Sequence, residues 1–163
     1  MNEANALSIT QETDLEKTLV SQPLSEAPEL TLTATASAEI PDGYESYERG
    51  MTLKNVGLFK QATDHFEKAA QDPAFALRGW AQMGLCLKKS GQQEEAVEAF
   101  RKALHVPSAS SKEQIQILYL LGRTLEALGR MTEAVEAYRW LRREAPEYRD
   151  VAQRIESLST RRR

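Results

Sequence analysis

The side chains with the most chemistry to offer are His65, His105, Cys86 and a C-terminal run of arginines. Neither histidine has a Cys or His neighbour at metal-ligand spacing, so solvent-facing or packing roles are expected for both, and no metal. Cys86 falls two residues after Gly84 inside an apolar helical stretch and reads as a small buried hydrophobe, not a nucleophile. Arg139, Arg142, Arg143, Arg149, Arg154 and the terminal Arg161, Arg162 and Arg163 could neutralise phosphates. Glutamates and Asp150 interleave with them, the pI is about 5.5, and no recognition motif accompanies them, so a solvated helix end is the better reading and nucleic acid is not the expected partner. The glycines do not form a phosphate loop or a cofactor fingerprint, and no nucleophile elbow is present. No catalytic function, cofactor or small-molecule substrate is read.

The glycines instead form a register. Gly50, Gly84 and Gly122 each fall inside a predicted helix, and Gly57, Gly91 and Gly129 follow seven residues later. A helical glycine costs about 1 kcal/mol against alanine, which three repetitions at one register must offset through close helix packing. Aligning on these glycines also aligns Ala62, Ala96 and Ala134, then Phe66, Phe100 and Tyr138, then Pro73, Pro107 and Pro146. The chain is built of repeats.

Helices are expected in pairs, at Tyr44 to Val56 with Phe59 to Gln71, Ala74 to Lys89 with Gln93 to Val106, and Ser111 to Leu128 with Met131 to Glu144. A glycine splits each pair and a proline punctuates its end. Ser110 and Glu113 predict a capping box. Gly50 to Gly84 spans 34 residues and Gly84 to Gly122 spans 38, so four extra residues lengthen the intervening loop or the fifth helix. The domain organisation is then a disordered acidic leader at 1–42, repeats at about 43–73, 74–107 and 111–146, a capping helix at 147–160 and a basic tail at 161–163. The capping helix would set Tyr148, Val151, Ile155 and Leu158 on one face.

Charge divides the chain at the same place. Residues 1–42 carry eight acidic side chains against Lys17, while residues 43–163 carry 20 basic and 16 acidic. The leader lacks aromatic residues and cannot bury enough apolar surface to offset ordering. Within it Asp14 to Val20 could form a short helix on a partner, and Glu29 to Ala36 alternates like a strand. It is a flexible linker, a docking segment, or an acidic screen lying on the basic body. No stretch reaches the ~20 apolar residues of a membrane span, and the N-terminus does not resemble a signal peptide, so a cytoplasmic location is expected.

Trp80, Met83, Gly84, Leu87, Ala96, Phe100 and Pro107 follow the W-x2-L-G-x2-Y, A-x3-F, P pattern, and the second unit thereby resembles the tetratricopeptide repeat family. Leu118, Leu121, Gly122, Leu125, Ala134, Tyr138 and Pro146 extend the likeness to the third unit, with Leu141 where a small residue is usual. The first unit keeps Leu53, Ala62, Phe66 and Ala69 but has Ser46 and Arg49 before Gly50. The resemblance covers about residues 43–146 and implies an all-α solenoid of three helix-turn-helix repeats, a right-handed superhelix. Its first helices would line a concave groove for a protein or peptide segment, making the chain a non-enzymatic adaptor or scaffold.

Helical spacing then selects the groove: Tyr44, Tyr47, Glu48, Met51 and Lys54, followed by Arg78, Ala81, Gln82, Leu85 and Lys88, and by Gln116, Tyr119, Leu120, Arg123 and Glu126. Tyr47, Arg78, Tyr119, Leu120 and Arg123 are the expected anchors, because tyrosine and arginine dominate binding hot spots. The alternative for each tyrosine is packing between helices. Relatives that clamp the C-terminal carboxylate of chaperones place Lys, Asn and Arg where this chain has Tyr47, Met51, Gln82, Gln116 and Leu120, so a free peptide carboxylate is not the expected ligand. The alternative function is a small three-repeat chaperone of an exported protein, suggested by the chain's length, extension and C-terminal helix.

Overall fold

The computed structural model describes residues 42–160, which form seven α-helices and, among themselves, no strand. The leader readings at 1–41 and the basic tail at 161–163 lie outside the described residues. The helices are α1 (Asp42–Asn55), α2 (Phe59–Ala69), α3 (Ala76–Lys89), α4 (Gln93–Leu104), α5 (Ser111–Ala127), α6 (Met131–Glu144) and α7 (Val151–Thr160). Each packs on the next in chain order, giving three antiparallel pairs followed by α7.

The two glycine sets have separate causes. A Cβ at Gly50, Gly84 or Gly122 would stand 2.8, 2.6 or 2.5 Å from the ring of Phe66, Phe100 or Tyr138, sixteen residues on. Each glycine is thus the socket for the aromatic ring of its paired helix, and all three rings are fully buried. Burying such a ring stabilises by roughly 2–3 kcal/mol, more than the helical glycine costs. Gly57, Gly91 and Gly129 have open space around them but φ of 82°, 84° and 75°. There the left-handed conformation closes the first helix, and the amides of Leu58, Gln92 and Arg130 return to the carbonyls of Leu53, Leu87 and Leu125 at 2.8–2.9 Å.

The four extra residues of the third unit enter helices. The connectors before α3 and α5 are the same length; α4 runs one residue longer than α2, and α5 starts three residues earlier than α3 relative to its glycine. Ser110 makes the new start tolerable. Its hydroxyl accepts from the Glu113 amide at 3.4 Å while the Glu113 carboxylate accepts from the Ser110 amide at 2.9 Å, a reciprocal cap. The final helix begins at Val151, later than the spacing predicts, because residues 145–150 form turns and Arg149 adopts φ 50°. Val151, Ile155 and Leu158 are buried as expected, but Tyr148 packs from the turn instead of from the helix.

Candidate protein-binding groove

The first helices α1 and α3 meet through side chains at predicted groove positions. Lys54 of α1 donates to Gln82 of α3 at 2.8 Å in a buried contact. Tyr47 stacks edge-on to Phe66 at 5.7 Å and beside Phe75 at 5.6 Å, and Tyr44 meets Phe75 at 6.0 Å. Phe75, on the connector into α3, therefore roofs the first tyrosine. Burial pushes the Tyr47 hydroxyl pKa up, while the Arg78 charge and a hydrogen bond with Gln82 pull the other way.

The other end is built on polar contacts. Tyr119 donates to Asp150 at 2.9 Å, packs on Tyr138 at 6.3 Å and Tyr148 at 5.8 Å, and carries the Arg149 guanidinium 5.5 Å from its ring centroid. Tyr138 donates to Glu126 at 3.1 Å. Arg154 of α7 donates to both Glu126 oxygens at 2.9 and 3.2 Å, and its Nε lies 2.8 Å from Asp150. Burial raises the pKa of Tyr119 and Tyr138, so both stay neutral donors. Burial also works against the Asp150 carboxylate, but its contacts with Arg154 and Tyr119 prevail and hold its pKa below the usual carboxylate range. This network seats α7 where a further repeat would begin.

The expected anchors therefore divide. Tyr47 is 9% exposed, and Tyr119 and Leu120 are fully buried, because Phe75 and the 145–150 turn cover the tyrosines and neighbouring helices enclose Leu120. Gln82, Leu85, Ala81 and Gln116 are buried too, and Lys54 nearly so. These side chains are packed inside the fold and not displayed on its surface. Tyr44 is 39% exposed, and Met51, Arg78, Lys88, Arg123 and Glu126 are half-buried. The Arg78 charge acts on the Tyr47 hydroxyl, and Arg123 hydrogen-bonds Tyr119. The Gln116 Oε1 atom is buried without a hydrogen-bond partner among the described residues. Sequence reasoning missed Phe75 as a roof; its only signal was an aromatic residue beside a predicted helix start.

The remaining reactive groups are dispersed. Cys86 is buried, His105 caps α4, and His65 lines an open recess of about 490 Å3 beside Tyr44 and Leu53. The described residues contain no cluster of three metal-ligating side chains, and none of their helices is long and apolar enough to cross a membrane.

The family model for the tetratricopeptide repeat matches residues 77–106 and 115–139, the second and third pairs. These two pairs carry the tetratricopeptide repeat. Its fold is similar to that of the Yersinia enterocolitica type III secretion chaperone SycD, solved with a peptide of the translocator YopD: TM-score 0.58, 13% identity, covering 74% of this chain and 94% of that one. It is similar also to the second repeat domain of human RPAP3, solved with an HSP70 peptide, at TM-score 0.56 and 15% identity over 72% and 95% of the two chains. A repeat-like protein of Chlorobium tepidum gives TM-score 0.51 and 18% identity over 74% and 91%. No curated protein matches at the level of sequence. The first pair falls outside the family match, yet its Gly50–Phe66 socket and Gly57 turn repeat the geometry of the other two.

Proposed function

We propose that this tetratricopeptide-repeat protein is a non-enzymatic adaptor that holds a protein segment along α1, α3 and α5. The contacting side chains are Tyr44, Met51, Arg78, Lys88, Arg123 and Glu126. The observation that carries the reading is the division along these helices, where Tyr47, Tyr119 and Leu120 are packed away while Tyr44, Met51, Arg78 and Arg123 keep solvent-facing surface. Peptide complexes of the SycD and RPAP3 domains support the same mode of action. A free carboxylate is not the recognised group, since Tyr47 and Leu120 are enclosed and Gln82 is engaged by Lys54. A cytoplasmic location is part of this reading.

A photo-crosslinking residue at Met51, introduced in the source cell, tests it. One prominent adduct is expected, lost when Arg78 and Arg123 are both replaced by alanine in a chain of unchanged helicity. An adduct that survives the double substitution sinks the groove reading. The second reading, a chaperone of an exported protein, draws on the fold likeness to SycD across 94% of that chain. Adducts with exported proteins alone would favour it.

A further inference from the structure

The two seams between successive pairs are built differently at one register. Where α3 meets the end of α2 the contact is made by small residues: a Cβ at Gly79 would stand 2.8 Å from the Ala70 side chain, the Ala70 nitrogen and the Phe66 carbonyl oxygen. Backbone lies close to backbone there. Counted from the socket glycines, Leu104 and Ile117 hold the positions of Ala70 and Gly79 in the second seam. Two bulky side chains keep α5 farther from α4, since the distance between packed helices follows the side chains at their contact. Beside them the second seam holds a recess of about 400 Å3, whose lining includes Leu104, Leu118, Leu121 and Leu125.

Charge bridges what packing leaves apart. Arg101 of α4 and Glu133 of α6 both line the recess and pair with each other at 2.6 Å. Arg130 extends the bridge, reaching Glu133 at 2.8 Å and Glu94 of α4 at 2.6 Å. At the register positions of Arg101, Glu133, Arg130 and Glu94, the first seam carries Glu67, Glu95, Gln92 and Lys60. Two acids replace the central pair, so this network cannot form there. We propose that the second seam is the hinge of the solenoid, a joint held by charge at which the third pair and α7 move as a unit against the first two pairs. Salt screens partly exposed ion pairs and leaves apolar packing in place, so ionic strength loosens this joint and not the first. Arg78 and Arg123 lie on opposite sides of the hinge, which thereby sets their spacing. That consequence rests on the groove reading, whereas the hinge does not.

Spin labels on the full chain at Asp64→Cys, Glu95→Cys and Arg139→Cys, exposed positions on α2, α4 and α6, test the hinge directly, with Cys86 buried out of their reach. Between about 20 mM and about 500 mM sodium chloride the α4–α6 distance distribution is expected to broaden, and the α2–α4 distribution to stay as it was. Hydrogen exchange gives a second readout, because neighbouring repeats stabilise each other through their interface. High salt should speed exchange in α5, α6 and α7 about fivefold relative to α1 and α2. Glu133→Gln, which removes the shared acid, should speed the same helices in low salt and leave little for added salt to do. An α4–α6 distribution that salt does not change, or an equal change in both distances, overturns the hinge. So does exchange that salt or Glu133→Gln raises equally in every helix. Neither measurement involves a partner, so each stands whether or not the groove does.

Discussion

The second and third helix pairs share one internal register and differ at the surface it supports. Gly84 seats Phe100 and Gly122 seats Tyr138, and both pairs close on a left-handed glycine. Outside that contact, the second pair stacks Lys102 on Trp80, while the third puts a leucine on α5 and the indole on α6. Packing constrains the positions where two helices meet, because a single methyl group there has no room. A position at the edge of the contact has solvent on one side, so an aromatic can change helices without disturbing the fold. The repeat thus conserves its joint and varies its faces.

The largest effect is expected where the pairs agree. Gly84→Val sets a branched side chain into the Phe100 ring and should cost about 3 kcal/mol or more, despite the better helix propensity of valine. Urea unfolding measures it, and the same substitution at Gly122 should match within about 1 kcal/mol; a tolerated valine at either site would break the socket model. The next prediction exchanges the surfaces. Trp80→Leu should cost about 2 kcal/mol through lost packing and lost contact with Lys102. Leu118→Trp with Trp140→Lys should carry the stacked arrangement of the second pair to the same register positions of the third with a stability change under about 1 kcal/mol, readable from thermal unfolding.

The first pair shows how legible such features are before a structure is known. Its Ser46 and Arg49 hide the family pattern, but Gly50, Ala62, Phe66 and Gly57 still announce the joint, and the structure forms it. Helix positions were readable for the same reason: apolar spacing and turn glycines act locally. The groove surface was less readable. Tyr47 and Tyr119 have the right type and register to face a partner, yet Phe75 and the 145–150 turn cover them. Those covers lie 26 or more residues away from the tyrosines, and helical spacing carries no information about which distant ring folds over a given side chain.

Smaller effects separate α7 from the pairs it follows. Arg154→Met, which keeps the stem and removes the charge, should destabilise by about 1–2 kcal/mol, a value discounted because Arg154 and Glu126 are 19% and 27% exposed. Hydrogen exchange should rise in α7 before the paired helices; a uniform rise would remove the distinction. Asp150 supplies a pH dependence. Its folded pKa is below the unfolded value, so its contribution is complete above about pH 4 and is lost as the pH falls through the folded pKa. Wild type should therefore exceed Asp150→Asn in thermal stability at pH 7, and the gap should shrink in acid. Smallest of all, Lys102→Ala should cost about 0.5 kcal/mol in the same melts, since this cation stacks from an exposed position.

By itself the sequence determined the repeat, its three glycine joints, its capping box and the order of its helices, because each depends on neighbours within one turn or on a spacing that recurs. Tertiary structure alone decided which groove positions remain open. It roofed Tyr47 and Tyr119, enclosed Leu120, and left Arg78, Arg123 and Trp140 partly open to solvent. The physical reason is that burial belongs to pairs of surfaces. A helix fixes the direction in which a side chain points, and only the next element determines whether it meets water, a partner or the core.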